Sequence, residues 1–268
     1  MAKLDHVCRK LRLKPGERVV EAGCGWGALA LHMARRYGVT VKAYNISHEQ
    51  IVYARRRAQH EGLADRVQFI EDDWRAIRDP CDAFVSVGML EHVGVRHYRE
   101  LGAVIDRCLA PEGRGLIHTI GQIHPLPINP WIERRIFPGA YPPTLAQIMQ
   151  ILEPYDFAVL DVENLRLHYA LTLKHWRERF EQAAEQIRQR LGERLVRMWR
   201  LYLGGSRAAF QCGSLHLFQV LFARSASSAI PWTRAYLYQP VDEAPVASPP
   251  PEACPTEASS PRHAAPVA

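Results

Sequence analysis

The chain has 268 residues, 47% of them hydrophobic and 23% charged. That ordinary globular composition excludes a fibrous, collagen-like or wholly disordered protein and leaves ample length for a sizeable core. No stretch approaches the roughly 20 apolar residues of a membrane-spanning helix, and no apolar run follows a basic start as in a secretory signal. The net charge is +6 and uneven: residues 240–268 hold four acids against one arginine, so the preceding body carries +9. A basic body suits an anionic partner, a membrane surface or nucleic acid. Six cysteines lie scattered at 8, 24, 81, 108, 212 and 254 with no CxxC pair, the pattern of reduced thiols in a cytosolic protein.

Leu4, Val7, Cys8 and Leu11 recur at spacings of three and four, which predicts a helix over residues 3–13. Pro15-Gly16 turns the chain into a short buried strand at Arg18–Ala22. The glycine loop Gly23-Cys-Gly25-Trp-Gly27 follows, then an apolar helix from Ala28 to Tyr37. A second strand is expected at Val39–Tyr44. The next helix runs from Ser47 to Glu61, with Ser47 and Gln50 spaced as a capping box. Strands at Val67–Ile70 and Cys81–Val87, a helix at Tyr98–Leu109 and a strand at Gly115–Ile120 continue the alternation. Strands alternating with helices imply an α/β doubly wound, mostly parallel sheet. Residues 122–143 read as an irregular, proline- and aromatic-rich segment. Beyond it come a helix at Leu145–Leu152, a strand at Phe157–Val162, a helical insertion at about 170–209 and a late strand at Leu215–Phe222. We read residues 1–239 as one domain. Residues 240–268, with eight prolines, seven alanines and almost no large apolar residue, read as a disordered acidic tail that cannot bury enough surface to offset its ordering entropy.

The loop after the first strand is the first candidate site. In such sheets ligands bind at the carboxyl ends of strands near the topological switch point, and glycines there let a ligand approach the backbone. The spacing in Glu21-Ala-Gly23-Cys24-Gly25-Trp-Gly27 is G-x-G-x-G rather than the G-x-G-x-x-G of a dinucleotide site, and an acid precedes it. That suits a cationic ligand such as S-adenosylmethionine, and the motif resembles the first motif of class I S-adenosylmethionine methyltransferases. Where those enzymes usually carry an acid for the ribose, this chain has Asn45, Ser47 and Gln50, whose amides and hydroxyl can satisfy a ribose or methionyl group. Asp73 and Trp74 stand where these folds meet adenine.

Three further segments narrow the resemblance. They are Ser86-Val-Gly-Met-Leu-Glu91-His92-Val-Gly94, Leu116-Ile-His118-Thr-Ile120-Gly121, and His168-Tyr169-Ala-Leu-Thr-Leu followed by Trp176-Arg-Glu-Arg-Phe180. With the glycine loop, and with Asn129-Pro-Trp131-Ile and Ile136-Phe-Pro, they resemble the cyclopropane-fatty-acyl-phospholipid and mycolic acid cyclopropane synthases from about Lys3 to Arg224. Taken singly, Glu91 would read as a surface residue, His118 as a core histidine and Tyr169 as packing. The resemblance instead implies that Glu91, His118, Tyr169 and the backbone at Ile120 hold a bicarbonate ion. His92 is not expected to face the same pocket.

The implied reaction adds the methyl of S-adenosylmethionine to a cis double bond of an unsaturated phospholipid acyl chain. A carbocation forms beside it, bicarbonate removes a proton from the new methyl, and the ring closes. The implied partners are unsaturated acyl chains and an anionic membrane surface, not nucleic acid, with oligomerisation left open. The implied location is cytoplasmic and peripherally membrane-associated. Family members begin well before the glycine loop, in a region whose Tyr-Ser-Cys-type motif backs the bicarbonate with a cysteine. Only twenty residues precede Glu21 here and neither Cys8 nor Cys24 matches, so the expectation is a pocket short of one wall and one ligand. The alternatives are a methyl-branching fatty-acyl or small-molecule methyltransferase, or a truncated paralogue that only binds lipid or cofactor.

Overall fold

The computed structural model describes residues 1–238, and the acidic tail expected over 240–268 lies outside them. Seven strands form one sheet: β1 (Arg18–Ala22), β2 (Thr40–Asn45), β3 (Val67–Glu71), β4 (Cys81–Val87), β5 (Leu109–Gly121), β6 (Phe157–Asn164) and β7 (His216–Arg224). Their order is β3-β2-β1-β4-β5-β7-β6. The first five are parallel, and β7 runs antiparallel to both β5 and β6. The strand order reverses at β1, which pairs with β2 on one side and β4 on the other. Loops at the carboxyl ends of β1 and β4 therefore diverge and leave a crevice.

The central strands β1, β4 and β7 are buried on both faces, and side-chain alternation divides the core. Val19, Val41, Ala43, Val85, Leu116 and Leu221 face α1 (Ala2–Lys10), α2 (Ala28–Tyr37) and α3 (His48–His60). Val20, Phe84, Ile117, Val220 and Phe222 face α5 (Tyr98–Cys108) and α7 (Leu145–Leu152). Two short helices, α4 (Leu90–Val93) and α6 (Pro130–Arg135), precede α5 and α7 respectively. A third cluster joins Ala170, Leu173, Tyr202, Leu203 and Phe210 to Leu217, with Trp131 and Ile132 packed against it. It seats α8 (Arg166–Leu191) and α9 (Glu193–Cys212), inserted between β6 and β7, over the carboxyl end of β5.

Several local expectations change. The capping box at Ser47 is absent: its side chain caps nothing, and Gln50 instead accepts a hydrogen bond from the Asn45 amide at 2.6 Å. The real capping box belongs to Thr144 and Gln147 at the start of α7. β5 starts at Leu109, directly after α5, because that residue pairs with Cys81 ahead of an irregularity in the ladder. The segment 122–143 contains α6, opened by the Asn129 side chain on the Trp131 N–H. The helical insertion starts at Arg166 and is broken at Gly192, whose φ of 84° and ψ of 160° are open only to glycine.

Candidate active site

The glycine loop is pinned to the end of β2. The N–H groups of Gly23 and Cys24 both donate to the Tyr44 carbonyl, at 2.9 and 3.0 Å. Gly23, Gly25 and Gly27 all have positive φ, at 83°, 53° and 79°, but only two serve packing. A Cβ on Gly23 would lie 2.8 Å from Met89, and one on Gly27 would lie 2.6 Å from the Phe69 ring. A Cβ on Gly25 would meet nothing within 4 Å. Gly25 is therefore the point at which a ligand has room to approach the backbone. Beneath it, Glu21 is 2% exposed inside β1, and one carboxylate oxygen is buried without a partner. Burial pushes its pKa up to about 8, opposed by the nearby Lys3. An orphaned buried carboxylate at the foot of the glycine loop is a group that the cationic end of S-adenosylmethionine would stabilise in its charged form.

Asn45 joins the same corner, donating to Gln50 at 2.6 Å and to the Gly25 carbonyl at 3.4 Å. Ser47 lies beside it, its backbone N–H donating to the side-chain Oδ1 of Asn45 at 3.4 Å, and Cys24 is buried in the loop. Asp73 and Trp74 depart from expectation. The Asp73 carboxylate accepts the Arg75 backbone N–H and pairs with its guanidinium at 3.1 Å. The Trp74 ring is buried in the core, with Arg75 stacked over it at 4.3 Å. Little of that ring is free for adenine. Sequence reading missed an exposed edge-to-face pair at the loop, Trp26 and Tyr53, whose ring centres are 5.3 Å apart.

Glu91, His118 and Tyr169 come from α4, β5 and α8, and all three line one cavity of ≈ 1380 Å³. Val87 stands opposite His118 in the β4–β5 ladder, and the Gly88 N–H donates to the His118 carbonyl at 2.8 Å. The chain then turns into α4 and brings Glu91 back over β5. Glu91 Oε1 accepts the Ile120 backbone N–H at 2.6 Å, while Oε2 is buried without a partner. The Ile120 N–H is thus engaged in holding Glu91 and is not free to bind an anion, as the resemblance had implied for the backbone there. Burial raises the Glu91 pKa.

His118 is 5% exposed, and burial pushes its pKa down to about 3, so the imidazole is neutral. Its Nδ1 faces the Gln219 amide nitrogen at 3.1 Å. Gln219, absent from the sequence-based set, is the polar interruption of a strand otherwise apolar from Leu217 to Ala223. The Tyr169 ring sits edge-on to Phe210 at 4.7 Å and Trp176 at 6.0 Å, and burial raises its pKa. His92 lines the cavity after all, edge-on to Phe137. The remaining walls are mainly apolar, with Leu126, Trp131, Leu171 and Leu201 among them, and Lys3 and His6 of α1 close one side.

A seven-stranded sheet with β7 antiparallel, a glycine loop after β1 and a cavity over the ends of β4 and β5 define a class I S-adenosylmethionine-dependent methyltransferase fold. The sequence matches the mycolic acid cyclopropane synthetase family over residues 1–220, and the chain belongs to that family. It is 43% identical over 230 residues to the cyclopropane-fatty-acyl-phospholipid synthase of Escherichia coli strain K12, covering 85% of this chain and 59% of that protein. It is 34% identical over 225 residues to the tuberculostearic acid methyltransferase UfaA1 of Mycobacterium tuberculosis, covering 81% of this chain and 52% of that protein. The chain thus spans less than two thirds of the length of these relatives. Among solved structures, the cyclopropane synthase MmaA2 from Mycobacterium tuberculosis superposes with a TM-score of 0.78 at 26% identity, covering 83% of both chains. The mycolic acid cyclopropane synthase CmaA1, complexed with SAH and CTAB, gives 0.78 at 27% identity over 82% of each.

Proposed function

We propose that this chain converts the cis double bond of an unsaturated phospholipid acyl chain into a cyclopropane, using S-adenosylmethionine and a bound bicarbonate. The observation that carries the reading is the convergence of Glu91, His118 and Tyr169 on one large, mainly apolar cavity. Few polar groups in an apolar cavity fix the orientation of a hydrophobic substrate. The cavity exceeds the range of about 300–1,000 Å³ usual for small-molecule sites, which suits a long chain.

When bound, S-adenosylmethionine supplies an electrophilic methyl, and bicarbonate supplies a base. Gly25, Glu21, Asn45 and Gln50 would hold the former, and Glu91, His118 and Tyr169 the latter. Glu91 would serve as an acceptor: its Oε1 is fixed by Ile120, and its Oε2, buried without a partner, would accept the O–H of an anion admitted beside it, orienting that ion as a base. The neutral His118 and the Tyr169 hydroxyl would supply donors to the anion. Trp131, Phe137, Trp176 and Tyr202 wall the cavity. Their faces favour positive charge, and their bulk excludes the water that would trap a carbocation as an alcohol.

For membrane contact, support comes from the cavity rim. Leu126, Leu171 and Leu201 line the cavity and are each more than half exposed, and Lys174 and Arg177 follow Leu171 by three and six positions on α8. Greasy side chains beside cations suit an anionic phospholipid surface. Among the described residues no helix is long and apolar enough to cross a membrane.

The test is lipid mass spectrometry of cells expressing the chain, followed by NMR of the product. Gain of one CH₂ per unsaturated chain with ring proton signals supports the reading. Gain of CH₂ as a branch that keeps a double bond, or of CH₂ plus two hydrogens from a reductant as a saturated methyl branch, would move the product toward that of a methyl-branching enzyme such as the tuberculostearic acid methyltransferase UfaA1. No gain would overturn the proposal.

A further inference from the structure

On one face of the sheet, β5, β7 and β6 place His118, Gln219 and Glu163 side by side in register. Gln219 is fully buried at the cavity's edge. Its amide nitrogen lies 3.1 Å from His118 Nδ1, and its oxygen has no partner. On its other side, Glu163 is occupied by α1, accepting from His6 Nε2 at 2.7 Å and pairing with Lys10 Nζ at 2.7 Å. The neighbouring acid is thereby committed to His6 and Lys10 of α1, and Gln219 is the side chain that addresses His118.

An amide nitrogen only donates. Facing Nδ1, it makes that atom an acceptor, and a neutral imidazole then carries its single proton on Nε2. Among the described residues Nε2 makes no protein hydrogen bond and is not sealed off. We propose that Gln219 is a positioning residue that locks His118 in the Nε2–H tautomer, so that the imidazole presents a donor to the cavity.

The consequence rests on the bicarbonate reading above. An Nε2 donor suits an anion's oxygen. The opposite tautomer would present a lone pair and repel it. Gln219 touches no reacting atom; it acts through His118. The tautomer itself does not depend on that reading and is measurable without substrate.

The experiment is ¹H–¹⁵N correlation NMR of the ligand-free full chain labelled at histidine nitrogens, with His118 assigned by the peak lost in His118→Gln. The wild type should show His118 protonated at Nε2 and bare at Nδ1. Gln219→Met keeps the bulk and removes the donor, and should shift the tautomer ratio toward Nδ1–H by roughly 2- to 10-fold, the value of one hydrogen bond. Gln219→Glu offers an acceptor and should place a proton on Nδ1. A merely structural role would leave the ratio unmoved in whichever variant folds. A wild type protonated at Nδ1, or an unchanged ratio in a folded variant, would overturn the proposal. Failure of the bicarbonate reading alone would appear as the predicted tautomer in a protein whose turnover is indifferent to Glu91.

Discussion

Glu21 shows how one residue can be both a cost and a tool. A carboxyl buried inside β1 with its pKa pushed up to about 8 is largely protonated in the free protein at neutral pH. The folded state then holds a proton that the unfolded chain, titrating near 4.5, has released. This contribution to stability therefore falls as pH rises from about 4.5 to 8 and is lowest above that window. At roughly 1.4 kcal/mol per pH unit between the two values, the penalty is several kcal/mol. A cation brought close to this carboxyl would reverse the preference, because an opposite charge favours the ionised acid. S-adenosylmethionine binding near pH 7 should therefore release close to one proton. Calorimetry in two buffers of different ionisation enthalpy reads that number directly. Buffer-independent heats would show that Glu21 does not sense the ligand.

At the scale of elements, α1 depends on its charges. Lys10 is fully buried, paired with Asp161 at 3.1 Å and Glu163 at 2.7 Å on the edge strand β6. Glu163 is held down to about 2 by Lys10 and then His6 against the opposing effect of burial. A depressed carboxylate stabilises above its unfolded value and loses that contribution as pH falls from about 4.5 to 2. Lys10→Met removes the cation and leaves two acids together. The cost should be near 3 kcal/mol, the lower end for a broken buried pair, because Arg234 still pairs with Asp161 and the His6 ring still contacts Glu163. Urea melts at pH 7 measure it, and a loss under about 1 kcal/mol would mean that α1 is held by Val7, Cys8 and Leu11 alone.

Periodicity made most elements legible. β1, α2, β4 and α7 have the bounds read from sequence, since apolar spacing and flanking glycines agree locally. What sequence left unread was decided by distant partners. Gln50 left its cap for Asn45 across the crevice, and Asp73 turned to Arg75. Gln219 meets a histidine 101 positions away, which only strand pairing brings near. Glu91, His118 and Tyr169 were readable as a set through family motifs, but the Ile120 N–H that fixes Glu91 was not.

Over the whole molecule, the cavity lies between two kinds of surface. One end approaches the glycine loop through Gly88 and α4; the other opens among exposed leucines on α8 and α9, next to basic side chains. Under the proposed function, that arrangement would admit a lipid's acyl chain from the leucine-lined end and the cofactor from the glycine-loop end. Binding to anionic vesicles should weaken steeply with salt, because the screening length falls from about 30 Å at 0.01 M to about 8 Å near physiological strength. Co-sedimentation at two salt concentrations checks this, and equal binding to neutral and anionic vesicles at low salt would show that charge plays no part.

The central claim is that Glu91 orients a base. Glu91→Gln keeps the acceptor that Ile120 holds and replaces the free oxygen with a donor. Turnover on unsaturated phospholipid vesicles, measured alongside S-adenosylmethionine affinity, separates the two roles. The account predicts affinity within a few-fold of the parent and turnover lower by about 10²- to 10⁴-fold, unrestored by added bicarbonate. Turnover equal to the parent's would contradict it, and would mean that this fold performs different chemistry here.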